Sequence, residues 1–318
     1  MMKQKNRWIL FLTIFVIILL CVSPVFLPSF TLYLLNEILI YALFSYGFYF
    51  LFSHAGYLSF GQAAYFALGA YSVALMYRHV SLAIWLPFLT AIIGTAIVAV
   101  ILGFLSVRLG RIYFAFLTLA FAQMIYAIVF RWRSFTGGDD GIPGVSRGFI
   151  DISFIRFNLE SPQHFYYFTL VIFIILVFVL RKLVESSFGL TLRSIRDNAE
   201  RTSFIGVNPQ RYVLIAFVIS AVYCAIAGAL HASLTKMAYP ELSYWSTSAE
   251  PIIMTLIGGV YTFSGPFIGA AIYIFLKTYL MTIIGNWILF LGIILLVMVL
   301  FFRSGLMGFI EQRWGVKL

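Results

Sequence analysis

Long apolar stretches separated by short polar turns occupy most of this chain, at about 8–27, 32–52, 59–77, 82–107, 112–130, 165–183, 212–234, 266–284 and 287–302. Runs of 18 or more apolar residues recur among them, and as a helix each such run is long enough to cross a hydrocarbon layer of roughly 30 Å. A tenth, shorter piece, 246–261, contains Glu250 and Pro251. The pattern predicts an all-α polytopic membrane protein with about ten transmembrane helices, a single membrane domain over residues 1–318. Two polar intervals are long: about 131–164, rich in glycine and turn residues, and about 184–211.

Composition agrees. The chain is 63% hydrophobic and only 10% charged, with a mean hydropathy of +1.02, far from the usual globular balance. The start, MMKQKNRWILFLTIFVIILLCV, is basic and then apolar like a signal peptide. Its apolar part is too long, and no small-x-small site precedes Pro24 and Pro28, so a retained first helix is expected. Cys21 and Cys224 lie in apolar runs, where thiols behave as small hydrophobes. The net charge of +10 would suggest nucleic acid in a soluble protein. Here it reflects basic residues that anchor loops on the cytoplasmic side, and no nucleic-acid partner is expected. Ten crossings with both termini cytoplasmic place 14 of the 21 basic residues inside.

Charge is concentrated where the chain otherwise avoids it. Residues 181–211 carry Arg181, Lys182, Glu185, Arg193, Arg196, Asp197, Glu200, Arg201 and Arg211. From Leu192 the spacing predicts one short amphipathic helix, with Leu192, Ile195, Ala199, Thr202 and Gly206 on one face. Arg193, Arg196, Asp197, Glu200 and Arg201 fall on the other. Ser186 and Ser187 offer N-cap oxygens upstream, and Asn208-Pro209 is expected to end the helix. Arginines alone would serve topology as a solvated loop. Asp197 and Glu200 oppose anionic lipid, so the mixed charge points instead to docking on a cytoplasmic partner.

Glu200, with Gly206 six residues on, resembles the EAA-x-x-x-G loop of ABC importer permeases, although Arg201 and Thr202 stand where that loop has alanines. The surrounding SSFGLTLRSIRDNAERTSFIGVNPQRYVLIAFVISAVYCAIAGAL, residues 186–230, strongly resembles LivM-type permeases of branched-chain amino acid importers. GYLSFGQAAYFALGAY (56–71), RLGRIYFAFLTLAFAQMIY (108–126), FTGGDDGIPGV (135–145) and STSAEPIIMTLIGGVYTFSGPFIGAA (246–271) match in the same order. The resemblance implies a type II-like importer permease in a bacterial or archaeal cell membrane. It further implies a LivH-type second permease, two cytoplasmic ATPase subunits and an extracellular or periplasmic solute-binding protein. A coupling helix formed by Arg193, Arg196, Asp197, Asn198, Glu200, Arg201 and Gly206 would sit in a groove of the ATPase. Leucine, isoleucine and valine are the leading cargo, with urea and short amides as alternatives.

Other positions are candidates for the translocation path. Gly56, Ser59, Gly61, Gln62 and Gly69 make a glycine-rich polar start to an apolar span. Small residues permit close helix packing, and that reading competes with a broken helix lining a path. Gly258, Gly259, Gly265 and Pro266 repeat the pattern near the other end, as discontinuous transporter helices do. Thr118, within a matching block, completes the set. Glu37, Glu250 and Lys277 are the ionisable groups inside apolar stretches, and each must face protein, water or the interface. They are too scattered for a proton relay, so a stand-alone secondary transporter is the lesser alternative. GGDDG (137–141) lacks the acidic ladder of a calcium loop, and the four histidines are isolated. No P-loop occurs. No catalytic residue, metal or cofactor is expected in this chain, and ATP with magnesium would belong to the partner ATPases.

Overall fold

In the computed structural model, residues 20–314 are described except 25, 81–82, 153–154, 284 and 302–303. The expected first span, 8–27, falls largely outside the described residues. Helices dominate because a backbone in lipid must satisfy its own hydrogen bonds. In order they are α1 (Ser29–Tyr49), α2 (Gln62–His79), α3 (Trp85–Ser106), α4 (Arg111–Arg131), α5 (Pro162–Glu185), α6 (Ser187–Asp197), α7 (Ala199–Phe204), α8 (Pro209–Thr235), α9 (Trp245–Gly258), α10 (Gly265–Ile283), α11 (Trp287–Phe301) and α12 (Gly305–Trp314). Among the described residues, six segments are both long and apolar enough to cross a membrane: Ser29–Ala55, α3, α4, α5, α8 and α10.

Three expected spans differ in form. The 32–52 span does not stop as an α-helix but continues as a π-helical turn, Phe50–Ala55, closed by Gly56 at φ +75°. The 59–77 span begins as a helix only at Gln62. The 246–261 piece is helical for 14 residues and ends at Gly258. At 1.5 Å per residue that is about 21 Å, short of a full crossing.

Burial separates a centre from a rim. Within their most apolar windows the Ser29–Ala55 segment is 78% and α8 72% buried, against 33% for α3 and α4 and 28% for α5. The rim helices turn Leu89, Ile93, Ile97, Phe116, Val171 and Ile175 outward, as a lipid-facing surface requires. The core around α1, α2 and α8 is tight. A Cβ on Gly69 would strike the Ala225 carbonyl, and one on Gly228 the Phe66 carbonyl, so the α2–α8 crossing depends on both glycines.

The 131–164 loop is more ordered than a glycine-rich turn. Ile142–Pro143 pairs antiparallel with Met237–Ala238, just beyond α8, and Phe149–Ile152 forms a hairpin with Ile155–Asn158. GGDDG is a tight turn with exposed Asp139 and Asp140. Gly141, at φ +65°, lets the chain pass against the Ala238 carbonyl, where a Cβ would not fit. The 131–164 and 184–211 loops lie at opposite ends of α5, and hence of the bundle.

Candidate functional site

The 184–211 loop starts as expected. The Ser186 hydroxyl accepts from the Gly189 N–H and caps α6. Leu192 and Ile195 are fully buried and Thr202 nearly so. The predicted single helix, however, is two. At Asn198 the backbone turns extended (φ −159°, ψ 103°), and its side chain accepts from the Arg201 N–H to cap α7. A residue whose side chain satisfies the next helix's first donors competes with helix continuation, which is why the chain restarts there. Gly206 lies beyond the helix at φ +85°, with open space where a Cβ would stand. Asn208-Pro209 does not end the helix but begins the next: Asn208 accepts from the Arg211 N–H, and Pro209 opens α8.

The charged face also divides. Asp197, Glu200 and Arg201 are exposed, as predicted. Arg193 and Arg196 are not outward-facing groups. Arg193 Nη2 donates to the Val184 carbonyl at 3.3 Å, and Arg196 Nη1 to the Ser53 carbonyl at 2.6 Å. Arg111 Nη2 donates to the carbonyls of Ile195 and Arg196 at 3.1 and 2.7 Å. These bonds tie α6 to α4, to the end of α5 and to the π-helical turn below α1. Beyond them, Phe204 and Ile205 are 79% and 77% exposed. Sequence reasoning passed over this apolar tip, because it assigned only charged residues to the outward face. The sole signal in the sequence was the place of Phe204 and Ile205 just outside the amphipathic stripe.

Four expected path residues come together at the start of α2. Backbone N–H groups at and just before its first turn have no helical acceptor, and side chains supply one. Phe60 N donates to Thr118 Oγ1 at 3.2 Å, Gly61 N to Ser59 Oγ at 3.2 Å, and Ala63 N to Ser248 Oγ at 3.0 Å. Gln62 is fully buried: its Nε2 donates to Ser220 Oγ at 3.1 Å, and its Oε1 accepts from Cys224 Sγ at 2.9 Å. Ser220 Oγ donates in turn to the Gly47 carbonyl at 2.6 Å. Ser59, Gly61, Gln62 and Thr118 thus build a satisfied polar joint among α1, α2, α4, α8 and α9. Ser220, Cys224 and Ser248, which the sequence did not single out, complete it.

Glu250 lies elsewhere. Its Oε1 accepts from Tyr273 Oη at 3.2 Å and from Lys277 Nζ at 3.4 Å, while Oε2 is buried without a partner among the described residues. Lys277 Nζ stands 5.6 Å from the Tyr41 ring centre. The pair is about four-fifths buried, with side-chain exposures of 19% for Lys277 and 17% for Glu250, so Lys277 is held by a carboxylate instead of reaching freely to an interface. Gly258 and Gly259 form a third place. Gly258 packs on the Gly265 backbone, Gly259 sits at φ +131° beside α12, and the next carbonyl, of Val260, accepts from Ser53 Oγ. The short helix α9 therefore reaches the α2 joint through Ser248, the ion pair through Glu250, and the π-helical turn through its C-terminal end.

At the far end of the bundle, Arg147 is buried to 9% exposure. Its Nε and Nη2 donate to the carbonyls of Ser233 and Leu234 at the end of α8, where the helix dipole favours a cation. Its Nη1 donates to the Glu160 carbonyl at 3.1 Å, and its guanidinium lies 4.9 Å from the Phe165 ring centre. Burial pulls the Arg147 pKa down and Glu160 opposes it. Glu160 Oε2 accepts from Lys236 Nζ at 2.6 Å, and that hydrogen bond, ahead of a smaller opposing burial effect, holds the carboxyl below its ordinary value. Nothing in the sequence distinguished Arg147 from other loop arginines. Among the described residues, no group of three or more His, Cys, Asp or Glu side chains could hold a metal ion.

Comparison with known proteins places this architecture. Residues 30–302 match the family described as branched-chain amino acid transport system / permease component. The chain is 24% identical over 212 residues to the high-affinity branched-chain amino acid transport system permease protein LivM of Escherichia coli (strain K12), and equally to that of Salmonella typhimurium. Each alignment covers 61% of this chain and 50% of the relative, so the chain spans about half the length of the curated relatives it matches. No solved structure matches the chain significantly.

Proposed function

The chain belongs to the family of branched-chain amino acid transport permease components, and on that premise we propose that it is the membrane subunit of an ATP-driven ABC importer for leucine, isoleucine and valine. The family match, over residues 30–302, carries the reading; the family and its LivM relatives are named for transport and not for catalysis. The chain pairs with a LivH-type second permease. Two ATPase subunits, which bind the ATP and magnesium, dock at the 184–211 end. A solute-binding protein delivers cargo at the 131–164 end. The basic residues at the 184–211 end support a cytoplasmic location for it and for both termini.

The mechanical link follows from the bonds. Exposed Phe204, Ile205 and Glu200 supply an apolar and charged docking tip. Motion of that tip passes through the bond from Arg196 to the Ser53 carbonyl into the π-helical turn, and so into central α1. Packed helices with two arrangements convert such a push into alternating access, and ATP binding shifts the balance between them. The Gln62 joint and the Glu250–Lys277 pair lie on the elements that must rearrange. They are the path-lining candidates.

The test is reconstitution of the chain with its second permease, ATPases and binding protein in vesicles. Leucine uptake should require both ATP and the binding protein. Uptake by this chain alone under an ion gradient would overturn the importer reading. Binding of urea in preference to leucine by the solute-binding protein would overturn the cargo.

A further inference from the structure

At the 184–211 end a cavity of about 590 Å³ opens between the π-helical turn, the end of α5, α6, the 259–264 loop and α12. Its lining is unusual for a membrane protein. Arg181, Arg193 and Arg196 face it together, with Glu185 and Glu311 as the carboxylates and His54 at its wall. Arg181 Nε is held by Glu185 Oε1 at 3.1 Å and Arg196 Nε by Asp197 Oδ1 at 3.2 Å, which leaves Arg193 as the least compensated of the three charges. Among the described residues Arg193 makes a single hydrogen bond, to the Val184 carbonyl, although a guanidinium carries five N–H donors. His54 is 5% exposed, and its Nδ1 finds no well-formed partner among the described residues. Tyr49, Tyr261 and Phe263 supply an apolar wall, with the Arg196 guanidinium 5.5 Å from the Tyr261 ring centre.

A guanidinium recognises a planar oxyanion by two parallel hydrogen bonds, Arg193 has donors to spare for one, and the aromatic wall beside it suits a short apolar group. We propose that this cavity is a binding site for a small oxyanion, best a carboxylate bearing a short apolar tail. It rests on its own geometry and not on the cargo reading. Arg193 and Arg196 also fasten the docking loop to the bundle through the Val184 and Ser53 carbonyls. An occupant that draws on them therefore competes with those fastenings, and occupancy is felt in the loop.

The experiment is equilibrium binding of isovalerate, leucine, isovaleramide and inorganic phosphate to the full-length chain in phosphatidylcholine nanodiscs. Isovalerate should bind, and isovaleramide, which lacks the oxyanion, should not. Arg193→Gln should weaken isovalerate binding by about tenfold or more, a difference of about 1.4 kcal/mol. Arg181→Gln alters a side chain that is 57% exposed, so it preserves folding and should weaken binding by roughly threefold; it decides the matter if Arg193→Gln does not fold. Phosphatidylglycerol that displaces isovalerate, with the same sensitivity to Arg193→Gln, supports the site and identifies a lipid headgroup as its oxyanion. Equal binding by wild type and Arg181→Gln, or equal binding of isovaleramide and isovalerate, would overturn the proposal.

Discussion

At one end of the bundle Arg147 is buried, and its bonds to Ser233, Leu234 and Glu160 close the 131–164 loop onto α8. At the other, Arg193 and Arg196 are only partly buried, and the loop they fasten ends in exposed Phe204 and Ile205. The same residue type makes a finished joint in one place and a tether in the other. The difference lies in what remains outside. The Arg147 end places its cation on helix-terminal carbonyls and covers it with the Phe165 ring. The Arg196 end holds its first helix firmly and leaves the second to meet something else. Exposed large apolar residues in a charged loop mark an interaction surface more than a fault in packing.

Three perturbations sharpen that contrast. The largest effect is expected at the closed end. Arg147→Met leaves the Ser233, Leu234 and Glu160 carbonyls without their donor, so stability should fall by about 2–4 kcal/mol, seen as a lower denaturation midpoint. An unchanged midpoint would mean that this arginine is not what closes the loop. At the open end, the double substitution Phe204→Asp and Ile205→Asp should move the midpoint by no more than about 0.5 kcal/mol, as for other surface changes. Co-purification of the ATPase subunits should nonetheless drop about tenfold, or about 1.4 kcal/mol. A large stability loss with normal co-purification would reverse the roles of the two ends. The smallest effect concerns Glu160. Its carboxyl is held below the ordinary value mainly by the Lys236 hydrogen bond, so its contribution is complete above the unfolded pKa of about 4.3. It is lost as the pH falls through the lowered folded value. Because both partners are substantially exposed, the change is below about 1 kcal/mol. Glu160→Gln should abolish that acid-dependent part of the midpoint, and an unaltered acid limb would assign it to other groups.

Much of the helical layout was legible because a lipid-spanning helix is a local property: its length and apolarity are written in consecutive residues. Ser186, as the cap of α6, was legible for the same reason. Leu192, Ile195 and Thr202 were placed correctly by their spacing, since one face of a helix must repeat every three or four residues. The break at Asn198 was not, because a capping asparagine inside an amphipathic run does not disturb that spacing. Ser59, Gly61 and Gln62 were found as a glycine-rich polar start to a span and Thr118 through a family-matching block, but their shared task was not. Their partners Ser220, Cys224 and Ser248 lie more than 100 residues away along the chain. The inward turn of Arg193 and Arg196 was missed because helical periodicity says which face a residue occupies, not which carbonyl lies within reach.

By itself the sequence determined that the chain lives in a membrane, which segments are apolar enough to cross it, where charge gathers and which family the chain resembles. These are matters of composition and of neighbours along the chain. Only the tertiary structure decided that α9 stops short of a crossing, that α6 and α7 are separate helices and that α1 and α8 form the centre. It alone made Arg147 a lock, Arg196 a tether and Phe204 a bare tip. The physical reason is common to all of these. A buried polar group must find a partner wherever the fold provides one, and a side chain is exposed or covered according to elements distant in sequence.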